Sequence, residues 1–222
     1  MVKNWRWKGS LVVVAALLLL IPPVGARPPA ADAAVNNLNN AGWASSPTVR
    51  IDPTNEPTID GLPANILIMD AILDFWNDGR SVDFEDENGC GCAFSNFDFG
   101  RVYIGEFGAA DIVIFFEDLP GGVLGEASWR IDRRTHHITS AIIILTTDVR
   151  GLSVENYKNI AAHELGHAIG LTHSGPPRTL MYSYMDINAD AYIPLSKSSL
   201  NTLERLYSWQ SSQIRPPMRI RL

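Results

Sequence analysis

The sequence predicts an α+β domain in which helices pack on a sheet. Strand-like patterns fill most of the middle of the chain, and two of the three helical patterns follow them. The composition, with 46% hydrophobic and 19% charged residues, is typical of a globular protein. The formal net charge of −6 argues against a nucleic-acid-binding protein, because such proteins normally carry a basic surface.

The first 26 residues are predicted to be a signal peptide rather than part of the fold. Three basic residues precede an unbroken apolar run over residues 11–21, and Val24-Gly25-Ala26 offers small side chains for cleavage. A run of this length is too short to cross about 30 Å of hydrocarbon as a helix. The mature protein is therefore expected to be secreted. An uncleaved membrane anchor stays an alternative, because Pro22 and Pro23 make the cleavage site unusual.

The rest of the chain divides into three parts. Residues 27–46 are rich in proline, alanine and asparagine and are predicted to be a flexible lead-in. Residues 47–210 show a continuous globular pattern without repeats, and residues 211–222 are predicted to be a loose tail. About 195 residues remain after the signal peptide, which is enough for one domain with a sizeable core.

Five strands are predicted within this domain. Residues 110–116 are almost entirely apolar, which is typical of a strand buried on both faces. Residues 125–132 are more polar and are predicted to form an edge strand. The five predicted strands cover residues 48–51, 81–85, 110–116, 125–132 and 138–146.

Three helices are predicted, over residues 63–77, 154–169 and 196–209. The first begins at Pro63, a residue that favours the first turn of a helix. The second has Ser153 as its N-cap and Glu155 favourably placed in its first turn. The apolar periodicity of the first helix predicts one buried face, formed by Ile66, Met69, Leu73 and Trp76.

The second helix carries the residues that point to chemistry. His163 and His167 are four residues apart, so their imidazoles lie on one helical face and can reach one ion at about 2.1 Å. His173 can join them only if the helix ends and the chain turns back, and Gly170 can enter the left-handed conformation that such a turn needs. Three neutral imidazoles leave one position open, as in catalytic zinc sites, and Glu164 can point at the water there. The alternative is a core helix that happens to carry histidines.

The spacing of these residues resembles the signature of metzincin zinc metalloproteases. Downstream, Leu180-Met181-Tyr182 is similar to the Met-turn of that group, and Ser174 after the third histidine resembles the matrixin (matrix metalloproteinase-like) branch. Residues 110–116, 121–127 and 194–207 also match that branch, whereas its inhibitory prodomain motif is missing. The resemblance implies a zincin-like, twisted and mostly parallel five-stranded sheet with three main helices. It also implies that Met181 forms an apolar floor beneath the metal.

The resemblance further implies a secreted zinc endopeptidase. His163, His167 and His173 would hold one catalytic Zn²⁺, and Glu164 would act as general base toward a water activated by the zinc. The substrate would be a protein or peptide, paired along the edge strand near residues 123–129, and the chain is expected to be a monomer. Two alternatives stay open: a non-catalytic, zinc-stabilised peptide-binding domain, and a zinc hydrolase that acts on something other than protein.

Several features depart from the family or are specific to this chain. Between residues 110 and 146 the only histidines are the adjacent His136 and His137, so a second, structural zinc is not expected. Cys90 and Cys92 form either a strained disulfide or free thiols. The acidic residues around them are candidates for a calcium site, although an ordinary solvated loop is favoured. The largely apolar segment over residues 182–193 predicts cleavage before large apolar residues.

Overall fold

The computed structural model describes residues 17–20, 41–77, 97–173, 175–187 and 191–207. Several sequence-based predictions lie outside these residues: the strand over residues 81–85, the state of Cys90 and Cys92, the calcium site and the tail over residues 211–222. Within the described residues, no helix is long and apolar enough to cross a membrane.

A mixed sheet forms the centre of the fold. Its central five strands run in the order β8-β9-β7-β3-β6. The strands β9, β7, β3 and β6 are parallel to one another, whereas β8 is antiparallel to β9. A separate short hairpin precedes the first helix. The strands are β1 (Leu17–Leu20), β2 (Gly42–Trp43), β3 (Val49–Ile51), β4 (Thr58–Ile59), β5 (Leu62–Pro63), β6 (Val102–Ile104), β7 (Ile112–Glu117), β8 (Val123–Ile131) and β9 (His137–Thr146).

The predicted α+β class, with a mostly parallel five-stranded sheet and three main helices, is confirmed. Four of the central strands are those that the sequence predicts, but the fifth is β6, which the sequence analysis missed. That strand has only three residues, half-buried or exposed, so it carries little apolar periodicity. Two further strands join the sheet: β1 pairs antiparallel with β8, and β2 pairs with the start of β9. Because β8 is paired on both sides, it is not the edge strand that the sequence predicts.

The strand β7 is buried less symmetrically than its sequence predicts. Ile112, Ile114 and Phe116 are fully buried, whereas Val113 and Phe115 on the other face are only half-buried. The apolar run therefore does not distinguish a strand covered on both faces from one that is covered mainly on one face.

The first helix occupies the predicted residues but buries a different face. An α-helix, α1 (Ala64–Asp70), continues directly into a π-helical segment (Ala71–Asn77). Two residues of the predicted face, Ile66 and Leu73, are 43% and 47% exposed. Trp76 is buried as predicted, and the buried residues of this helix recur every four positions, as expected when wider π turns follow α turns. They are Ala64, Leu67, Ile68, Ala71, Ile72, Phe75 and Trp76.

The second helix, α2 (Val154–Ala168), begins as predicted, because Ser153 Oγ accepts a hydrogen bond from the Asn156 backbone N–H at 3.1 Å. The third helix, α3 (Lys197–Tyr207), holds the far end of α2 in place. Its last residue, Tyr207, donates to the Ile169 carbonyl at 2.7 Å. Trp43 of β2 donates its ring N–H to the Ala168 carbonyl at 2.8 Å. Trp43 is buried, although it lies in the segment that the sequence predicts to be a flexible lead-in.

Candidate metal centre

Two histidines of α2 face each other in the interior. His163 and His167 are both fully buried, and their ring centroids lie 4.5 Å apart. Their Nε2 atoms are 2.9 Å apart. The spacing of four residues thus produces the side-by-side arrangement that the sequence predicts.

The chain turns back at the end of α2 as predicted. Gly170 has a φ of 99°, and the backbone N–H of Leu171 donates to the Gly166 carbonyl at 3.0 Å. A Cβ atom at residue 170 would lie 2.4 Å from the Ala41 carbonyl oxygen, so both conformation and space favour glycine here. The turn brings the ring of His173 to 5.3 Å from that of His163 and 4.8 Å from that of His167, between ring centroids.

The three imidazoles converge with their lone pairs unused. The Nδ1 atoms of His163 and His167 lie at the backbone carbonyls of Leu180 and Leu171, respectively, the latter at 2.8 Å. A carbonyl oxygen only accepts, so each Nδ1 carries the proton and each Nε2 presents a lone pair. Two lone pairs at 2.9 Å repel each other unless a cation lies between them. One ligand atom from each of the three histidines lies within 4.8 Å of the others, which is compatible with a zinc site.

The surroundings keep these imidazoles neutral. Burial lowers the pKa of His163 to about 3 and that of His173 to about 4. Burial also lowers the pKa of His167 well below its ordinary value, and the neighbouring histidines add to the effect. The buried His173 Nε2 has no hydrogen-bond partner among the described residues. A neutral imidazole with a free lone pair is the form that binds a metal.

Glu164, the residue after His163 on α2, has a carboxyl group in an unusual state. Its carboxyl group is fully buried, and neither oxygen has a hydrogen-bond partner in the described part of the chain. Burial raises the pKa of this carboxyl well above its usual range, and the nearby Glu126 adds to the rise. The strand β8 passes directly over it: a Cβ atom at Gly125 would lie 2.6 Å from both Cγ and Oε1 of Glu164.

Met181 packs against the same helix from another side. It is fully buried, and a Cβ atom at Gly166 would lie 2.6 Å from its Sδ atom. The residue before it, Leu180, is held by a hydrogen bond from its N–H to the Pro194 carbonyl at 2.8 Å. Met181 thus lies against the turn of α2 that carries His167, where the resemblance places an apolar floor.

Neither Gly125 nor Gly166 was among the site residues predicted from the sequence. One signal was available for Gly125, since a glycine inside a strand often marks a close approach of another group. For Gly166 there was no such signal, because the residues it contacts are far away in the sequence. His136 and His137, the other histidines that the sequence analysis weighed, are both exposed.

Two buried asparagines of α2 hold the segment that follows Met181. Asn156 donates its side-chain N–H to the Ile187 carbonyl at 2.8 Å. Asn159 donates to the Ala191 carbonyl at 2.9 Å and accepts from the Ile193 N–H at 3.2 Å. This segment, which the sequence predicts to form a specificity pocket, is therefore bound to α2 one and two turns before His163.

The family model for matrixin peptidases matches residues 93–208, just over half of the chain. Matrilysin of Felis catus is 36% identical over 64 residues, which cover 29% of this chain and 24% of the relative. Metalloendoproteinase 1 of Glycine max is 30% identical over 93 residues, which cover 40% of this chain and 30% of the relative. Stromelysin-1 of Equus caballus is 33% identical over 129 residues, which cover 49% of this chain and 24% of the relative.

The chain thus spans less than a third of the length of each of these three relatives. The matched region nevertheless contains all three histidines, Glu164 and Met181. Together with the mostly parallel sheet and the three helices, the match shows that the chain belongs to the matrixin family.

Proposed function

We propose that this protein is a secreted zinc endopeptidase that cleaves protein or peptide substrates. The observation that carries the proposal is the convergence of three neutral imidazoles, two of them on the helix that also carries the buried carboxyl group of Glu164, which has no hydrogen-bond partner among the described residues. The name of one relative, Metalloendoproteinase 1, agrees with this chemistry.

The outer edge of β8 offers a place for an extended substrate. In the structure this edge pairs antiparallel with β1, and Leu19 lies opposite Gly125. A substrate strand that replaced β1 would be bound by the same main-chain hydrogen bonds, a common mode of peptide recognition. Because Gly125 contacts Glu164, such a strand would pass next to the carboxyl group.

His163, His167 and His173 would hold the zinc ion, and the carbonyls of Leu171 and Leu180 would keep two of these rings in the ligating tautomer. When bound, zinc polarises a carbonyl and makes a water molecule more acidic. Glu164 would accept the proton of the attacking water at a carboxylate oxygen and pass it to the departing amine nitrogen. General acid–base steps of this kind typically contribute about 10²–10⁴-fold in rate.

Specificity would come from the segment after Met181. Met185 is buried, Tyr192 is partly exposed, and Asp186 is exposed, so the described part of this segment offers apolar surface near α2 and turns one acid outward. A pocket of this kind favours a large apolar residue on the carboxyl side of the scissile bond by about 1–3 kcal/mol.

The proposal is tested by digesting casein and a fluorogenic peptide with the purified protein, with and without a chelator. The substitution Glu164→Gln removes the base but keeps the shape, so we expect at least a 10²-fold loss of kcat with zinc retained, as estimated for general base catalysis. Glu204→Gln on the exposed surface of α3 is the matched control and should leave the rate unchanged.

The same experiment separates the alternatives. A non-catalytic peptide-binding domain would bind the peptide but leave it intact, with or without zinc. A hydrolase for other substrates would leave casein and peptides intact yet hydrolyse a simple ester in a zinc-dependent and Glu164-dependent way.

A further inference from the structure

We propose that Gly125 is a positioning residue: the space left by its missing side chain is the space in which the carboxyl group of Glu164 lies. This inference rests on the proposed function, because it gives a role in catalysis to a residue that would touch neither the metal nor the scissile bond through a side chain.

The contact is close and one-sided. A Cβ atom at residue 125 would lie 2.6 Å from Glu164 Cγ, 2.6 Å from Oε1 and 2.8 Å from Cδ. All three of these nearest atoms belong to the same side chain. A substitution by alanine would therefore collide with Glu164 before it met any other group.

Glycine is not needed at this position for its backbone conformation. Gly125 lies within the regular strand β8, and its φ angle is not positive. Its partner Leu145 lies on the neighbouring strand β9, and Leu19 lies on the other side. The pairing of β8 with β9, which runs from Gly125 to Ile131, keeps the strand from moving away easily, so the flexible carboxyl group would have to give way.

Packing is also what holds Glu164 in place. Its two oxygens have no hydrogen-bond partner within the described residues, although they are buried. A carboxyl group without such bonds keeps its orientation only through the surfaces that enclose it. The backbone of Gly125 is one of these surfaces, so it helps to fix the position of the carboxyl group.

The test compares Gly125→Ala with Gly105→Ala. Gly105 lies just after β6, and a Cβ atom there would be 3.7 Å from its nearest neighbour, which is ordinary contact. We expect Gly125→Ala to lower kcat by roughly 10- to 100-fold, the range that a misplacement of about 1 Å can cause. The KM value and the zinc content should stay unchanged, and Gly105→Ala should match the wild type in all three.

A second measurement does not depend on activity. In the metal-free protein, Gly125→Ala should lower the Tm when Glu164 is present but not when Glu164 has been replaced by alanine, because the colliding atoms are then gone. If Gly125→Ala alone does not fold, the double variant Gly125→Ala/Glu164→Ala should still fold.

The outcomes are distinct. An unchanged kcat in Gly125→Ala would overturn the positioning role, and so would an equal loss of Tm in both backgrounds. If the wild type cleaves no peptide while the Tm depends on Glu164 as described, the proposed function is wrong and the contact between the two residues stands.

Discussion

Replacing Gly170 by alanine tests how the fold brings His173 to the other histidines. Two penalties act at this position. The φ of 99° is unfavourable for alanine by about 1–3 kcal/mol. The added Cβ would also lie 2.4 Å from the Ala41 carbonyl oxygen, and overpacking of this kind costs about 1–3 kcal/mol more.

Gly151 provides a matched control, because it has a similar positive φ of 77° and nothing within 4 Å of its would-be Cβ atom. Gly151→Ala should therefore lose only the conformational part, about 1–3 kcal/mol, whereas Gly170→Ala should lose about 2–6 kcal/mol. For a domain of this size each kcal/mol corresponds to a Tm shift of about 2–4 °C.

The assay is thermal and urea unfolding of the metal-free proteins, so that bound zinc does not add to the measured stability. Zinc titration follows, and we expect Gly170→Ala to bind zinc about 10- to 100-fold more weakly, the range seen when support for a metal ligand is lost. Equal losses of stability in the two variants, together with unchanged zinc affinity, would refute the role assigned to this turn.

Other predictions follow from the same structure. His167→Ala should lose both zinc and activity, and metal analysis of the wild type should give one zinc per chain rather than two. Asp52→Ala should lower the free energy of unfolding by about 3–5 kcal/mol, because it leaves the buried Arg50 without its ion-pair partner at 3.0 Å. Burial would raise the pKa of Asp52, but hydrogen bonds from Thr54 and Arg50 outweigh it and hold that pKa below its usual value. The loss in the free energy of unfolding caused by Asp52→Ala should therefore be complete near neutral pH. It should become smaller as the pH falls below the usual pKa of an aspartate, where Asp52 begins to take up a proton. A chain that begins at residue 27 should show a lower KM for extended peptides than the full chain, because β1 no longer pairs with β8. In a peptide library, large apolar residues should dominate on the carboxyl side of the cleaved bond, and a dominance of lysine or arginine there would contradict the apolar pocket.

The convergence of His163, His167 and His173 could be predicted from the sequence because it depends on local geometry. The spacing of His163 and His167 is a property of any α-helix, and the need for a turn before His173 follows from the same geometry. Gly170 is the residue that supplies this turn in the structure. Each step uses residues within eleven positions of one another, so no knowledge of tertiary packing is required.

The buried face of the first helix could not be predicted in the same way. Residues 66–69 are all apolar, so their periodicity is compatible with more than one face. The π-helical segment then shifts the buried positions to a spacing of four residues, which a prediction based on 3.6 residues per turn does not anticipate. Packing against α2 and the sheet decides the face, and packing is not written in the local sequence.

Three glycines let other elements approach α2 closely, and two of these contacts were not predicted from the sequence. Gly125 lets β8 approach Glu164, Gly166 lets Met181 approach the helix, and Gly170 lets the helix end against the backbone before β2. These contacts restrain the half of α2 that carries the histidines, so the helix cannot shift without a collision. Preorganised geometry of this kind is what metal binding and proton transfer require. It follows that a larger residue at Gly125 or Gly166 should disturb both the packing around α2 and the chemistry of the site.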